Sequence, residues 1–90
     1  MKAINIRVKG RVQGVYFRAN TCGKAKELSI NGTVKNLNDG TVEILAEGEE
    51  EQLNKLVKWC HQGPLLAHVT SVDVTEITLT GFKNFETIRS

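Results

Sequence analysis

The chain has 90 residues, 40% of them apolar and 24% charged, and a net charge of +2. This length suits one compact domain over residues 1–90 and excludes two, while the composition excludes a disordered chain. No apolar run nears the roughly 20 residues of a bilayer-spanning helix and no signal-peptide pattern opens the sequence, so no membrane is expected as a partner and the expected location is cytoplasmic.

Ile4, Ile6 and Val8 alternate with Asn5, Arg7 and Lys9, the period of a half-buried strand. Residues 10–17 read as a loop, and residues 18–28 as a helix with Phe17, Thr21, Ala25 and Leu28 along one face. Gly23 costs that helix about 1 kcal/mol relative to alanine. Strands follow at 32–37 and 41–47, around Asn38-Asp39-Gly40, residue types that tolerate the positive φ of a hairpin turn. Val42, Ile44 and Ala46 should face the core. A second helix begins after Gly48, where Glu49, Glu50 and Glu51 complement the positive end of its dipole. Leu53, Leu56, Val57 and Cys60 recur along it at helical spacing, and Gly63-Pro64 ends it. Residues 67–77 read as a strand carrying Val72 and Val74, and Val69 lies out of their phase, which suggests a bulge. A last short strand takes residues 82–88. The order predicts an α+β, ferredoxin-like β-α-β-β-α-β fold: an antiparallel sheet with two helices on one face and a short C-terminal strand.

Cys22 and Cys60 match no metal-ligand or C-x-x-C spacing and are expected as free thiols. Charge is unevenly spread. Residues 1–40 hold eight Lys/Arg against two acids, a net of +6, and the rest hold four against eight, a net of −4. Such a field draws in small anions, although for the charge alone a solvated strand edge and helix face is the better account. Nucleic acid is not an expected partner, since the domain is only mildly basic and its strands lack clustered aromatics.

Residues 8–18, Val-Lys-Gly-Arg-Val-Gln-Gly-Val-Tyr-Phe-Arg, carry the most information. They join a strand to a helix through two glycines and end in an arginine at the helix start. Such a junction can aim backbone N–H groups, a helix N-terminus and a guanidinium at one small oxyanion. On the strand at 32–37, Asn36 shares the parity of Val34 and should point to the helix-covered face, beside that loop.

On these residues the chain resembles the acylphosphatases. Residues 8–18 match every fixed position of that family's first signature, aliphatic-x-Gly-x-Val-Gln-Gly-Val-x-Phe-Arg. The second signature runs from a Gly-aromatic pair through an Asn to Gly-x-Val. Here it reads Gly32-Thr33-Val34-Lys35-Asn36, then Asp39-Gly40-Thr41-Val42, with Gly48 at the expected distance. The resemblance implies a ferredoxin-like fold and hydrolysis of the carboxyl–phosphate bond of an acyl phosphate. It implies Arg18 as the phosphate-binding arginine and Asn36 as the residue orienting the attacking water. Backbone amides of Gln13, Gly14, Val15, Tyr16 and Phe17 would complete the phosphate cradle. The expected enzyme is monomeric and needs neither metal nor cofactor, with inorganic phosphate as its product ligand. Two positions depart from the pattern: Thr33 replaces the usual aromatic, and Ser29 stands where a glycine normally ends the first helix.

Each residue has a plainer explanation when taken alone. Gly10 and Gly14 could merely allow a tight connection, Arg18 could be solvated surface, and Asn36 could lead into the following turn. Their joint spacing outweighs these separate explanations and favours the phosphate site. A cysteine-dependent phosphatase would need an arginine six positions after its cysteine, and the residue so placed after Cys22 is Leu28. His61 and His68 lie in neither motif. The alternative is a non-catalytic ferredoxin-like module that binds an anion or a partner through the same loop.

Overall fold

The structure is a computed structural model and describes residues 1–89. Its elements are β1 (Lys2–Arg11), α1 (Phe17–Glu27), β2 (Asn31–Asn36), β3 (Val42–Gly48), α2 (Glu50–Gln62), β4 (His68–Ile77) and β5 (Phe85–Ile88). The five strands form one sheet in the order β4-β1-β3-β2-β5. β1 runs antiparallel to β3 and β4, and β2 antiparallel to β3, but β5 lies parallel to β2. The expected antiparallel sheet is therefore mixed. β4 ends at the end of the sheet where β2 begins, so a chain that crosses there enters the far edge running in the direction of β2.

The alternation read along β1 holds: Ile6 and Val8 are fully buried, and Val34, Val42, Ile44 and Ala46 join them from the neighbouring strands. Onto this face pack Phe17, Thr21 and Ala25 of α1 and Leu53, Leu56 and Cys60 of α2. The Phe17 and Trp59 rings meet at 5.4 Å between centroids and tie the two helices together. Burying one such large side chain contributes roughly 1.5–3 kcal/mol. The other face carries polar pairs, among them Arg7 with Asp39 at 3.7 Å and with Glu43 at 3.5 Å.

Helix α1 starts at Phe17, one residue before its expected start, because the Thr21 hydroxyl and the helical turn already close on the Phe17 carbonyl, at 2.7 Å for the hydroxyl. It ends before Leu28. Ser29 takes φ 59, and the Ile30 amide returns to the Ala25 carbonyl at 2.8 Å, a left-handed cap kept without glycine. On β4, Ser71 opposes Lys9 while Val69 opposes Gly10, so Thr70 is the extra residue of the bulge that Val69 suggested. Val74, placed beside Val72 by its parity, is 46% exposed because β4 is the sheet edge.

β5 begins only at Phe85, and the residues before it are held by one carboxylate. Buried Glu47 of β3 accepts hydrogen bonds from the backbone amides of Thr80, Gly81 and Phe82 and from the Thr80 hydroxyl. Burial pushes the carboxyl's pKa up, but the Thr80, Phe82 and Gly81 amides outweigh it and hold the pKa below its ordinary value. A carboxyl depressed in the folded state stabilises the fold above its unfolded pKa, and that stabilisation disappears as pH falls through the folded value. Glu47→Gln should cost about 2–3 kcal/mol at neutral pH, since an amide NH2 would face backbone donors. Urea titrations at pH 7 and below pH 4 should show the wild-type advantage shrinking on acidification. An equal difference at both pH values would contradict the clamp.

Candidate active site

The loop between β1 and α1 owes its shape to local backbone conformation. Gly10 adopts φ +124 against β4, where a Cβ would run into the His68 carbonyl, and Gly14 turns the loop at φ +75. Tyr16 is also left-handed, at φ 64 and ψ 23, in the position before α1. For a residue with a side chain that conformation costs on the order of 1–3 kcal/mol. It is held by Asn20, whose backbone amide and side-chain Nδ2 both donate to the Tyr16 carbonyl, at 3.1 and 2.8 Å. Tyr16 gives α1 no side-chain cap and the first turn holds no acid, so the leading amides keep their positive end open to an anion.

A cavity of about 370 Å³ opens at this helix start. Val12 and Phe17, each 1% exposed, close its floor. Gly14, Tyr16, Arg18 and Ala19 come from the loop and the first turn of α1, and Asn36 comes from β2. Arg18 and Asn36 thus share one cavity. The Asn36 Oδ1 atom is buried there without a hydrogen-bond partner among the described residues. Arg18 enters none of the ion pairs those residues form.

Gln13 and Val15 lie outside the cavity wall. Val15 is buried in the core. The Gln13 side chain donates from Nε2 to the Leu37 and Thr41 carbonyls at 2.8 and 2.9 Å, binding the loop to the hairpin that follows Asn36. Asp39 accepts from the Thr41 amide and hydroxyl at 3.0 and 2.6 Å in that hairpin, and these bonds hold its pKa down, the hydroxyl most. Gln13 is thereby the link that fixes one half of the cavity against the other.

Thr87 of β5 and Arg89 just beyond it complete the wall, and sequence reasoning missed both. The signal was parity with Phe85, the one buried residue of β5. Val12 and Ala19 went unnoticed too, as small apolar residues with no chemistry of their own. Neither cysteine belongs to the wall. Cys22 Sγ lies 3.1 Å from Thr87 Oγ1, and burial pushes the Cys60 thiol up to about 12; both are free. His61 and His68 are exposed, away from the cavity. No cluster of three or more His, Cys, Asp or Glu suited to a metal ion occurs among the described residues, and no helix among them is long and apolar enough to cross a membrane.

The acylphosphatase family profile matches residues 4–87. The chain belongs to the acylphosphatase family. An acylphosphatase of Methylococcus capsulatus is 49% identical over 90 residues, covering 99% of this chain and 98% of that relative. One from Marinobacter nauticus is 51% identical over 84 residues, covering 92% and 91%. The crystal structure of acylphosphatase from Bacillus subtilis matches with a TM-score of 0.96 at 41% identity, over 99% of this chain and 100% of that one. The acylphosphatase fold is therefore the ferredoxin-like one that the element order predicted, and the enzyme is a hydrolase whose substrate is an acyl phosphate.

Proposed function

We propose that this cavity carries out the hydrolysis with Arg18 and the amides of Gly14, Tyr16 and Phe17 holding the phosphoryl group and Asn36 orienting the water. An acyl phosphate is already activated, because its leaving group departs as a carboxylate and needs no proton. The protein must supply charge stabilisation on the phosphoryl oxygens and a well-placed nucleophile. A guanidinium offers a planar fork of donors that stays charged, and a lysine would not reproduce its geometry. The open helix start adds amides aimed at the same oxygens.

A carboxamide both accepts from and donates to water but is a poor base. The proton of the attacking water therefore passes to a phosphoryl oxygen of the substrate. The water oxygen forms the new bond to phosphorus, the bond from phosphorus to the acyl oxygen breaks, and the products are a carboxylate and inorganic phosphate. One chain carries every group used, and neither metal nor cofactor enters any step.

The observation that supports these roles is the single cavity that Arg18 and Asn36 both line, at the uncapped start of α1. The test is hydrolysis of benzoyl phosphate by purified protein without added metal. Its disappearance should far outrun the buffer control, with inorganic phosphate inhibiting competitively. A rate equal to the control would favour the non-catalytic binding module.

A further inference from the structure

A phosphoryl group is smaller than this cavity of about 370 Å³, whose floor of Val12 and Phe17 is closed. Whatever is attached to the phosphate must leave across the exposed rim of Gly14, Tyr16, Ala19 and Arg89. Among the described residues Arg89 is the only charged one of that rim, and no carboxylate lines the cavity. β5 sets it there. In the parallel register Val34 pairs with Thr87 and Lys35 with Ile88, so Arg89 follows beside Asn36, with the parity of buried Phe85 and of Thr87. On the same rim Tyr16 is 74% exposed, its backbone held in the left-handed conformation.

We infer that Arg89 and Tyr16 form a subsite for the acyl part, and that this subsite favours acyl phosphates whose acyl chain carries a second anionic group. The inference rests on the proposed hydrolysis. Arg18 meets the phosphoryl charge deep in the cavity, and Arg89 meets the second charge at the mouth, while the Tyr16 ring covers the carbon chain between them. A salt bridge at an exposed position is worth up to about 1 kcal/mol, which corresponds to roughly fivefold in specificity.

The test compares kcat/KM for succinyl phosphate, which bears a distal carboxylate, with that for benzoyl phosphate, which bears none. Wild type should favour succinyl phosphate. Arg89→Gln should lower the ratio of the two about fivefold, through the KM of succinyl phosphate more than its kcat. Lys26→Gln, which removes a cation from the exposed face of α1 outside the cavity, should leave the ratio where it was. An unchanged ratio in Arg89→Gln overturns the subsite, because the arginine then acts on both substrates alike or on neither. An equal fall in Lys26→Gln overturns it too, by tracing the preference to the general positive field. If wild type hydrolyses neither compound, the hydrolytic reading of the cavity falls and takes the subsite with it.

Discussion

Arg18→Ala should lose about 10²–10³-fold in kcat/KM for benzoyl phosphate, by analogy with other preorganised oxyanion donors. Folding should be almost untouched. The side chain is half-buried at the first turn of α1, enters no ion pair among the described residues, and sits at the helix end where a cation is disfavoured. Removing it should shift stability by no more than about 0.5 kcal/mol, and a small gain is the expected sign. A residue that helix electrostatics disfavours and no neighbour uses is best explained by a ligand. Phosphate supplies the second measurement. Millimolar phosphate should raise the melting temperature of wild type by mass action and leave that of Arg18→Ala unchanged. Arg18→Lys should recover little, since an ammonium is a point charge and not a fork. Wild-type turnover in the alanine variant would remove the guanidinium from the mechanism.

The sequence revealed most where burial imposes a period. β1 and α2 were legible because Ile6 and Val8, and Leu53, Leu56 and Cys60, fall on one face at strand and helix spacing and are buried as that spacing requires. Asn36 was placed by the same logic, through its parity with Val34. The last short strand was expected, but the facing and direction of β5 resisted because Phe85 is its only buried residue, and one apolar position defines no period. Its parallel register comes from a crossover pinned by Glu47, whose partners are, apart from the Thr80 hydroxyl, backbone amides that leave no mark in the sequence. Thr87 and Arg89 went unseen for that reason. Gln13 shows the same limit from the other side. Its loop position was legible, but its side chain answers to the Leu37 and Thr41 carbonyls, which any residue type would offer. Ser29 marks a local rule broken openly: the left-handed cap persists although glycine does not.

The complementary result is expected of Asn36→Ala. Turnover should fall about 100-fold, the scale of losing a positioned nucleophile, while inhibition by phosphate stays within about threefold of wild type. The separation follows from where the two side chains enter the cavity. Arg18 comes from α1, alongside the amides that hold the anion, whereas Asn36 reaches in from β2 and contributes to no bond of the loop itself. Stability should not fall with activity. The Asn36 oxygen is buried without a partner among the described residues, so removing it breaks no protein hydrogen bond among them. A variant that is slower yet at least as stable is what a functional site kept at some cost to the fold predicts. Asn36 keeps its position through its strand pairing with Val42. Loss of phosphate affinity in Asn36→Ala, equal to its loss of turnover, would place the carboxamide among the anion's ligands and deny it the water.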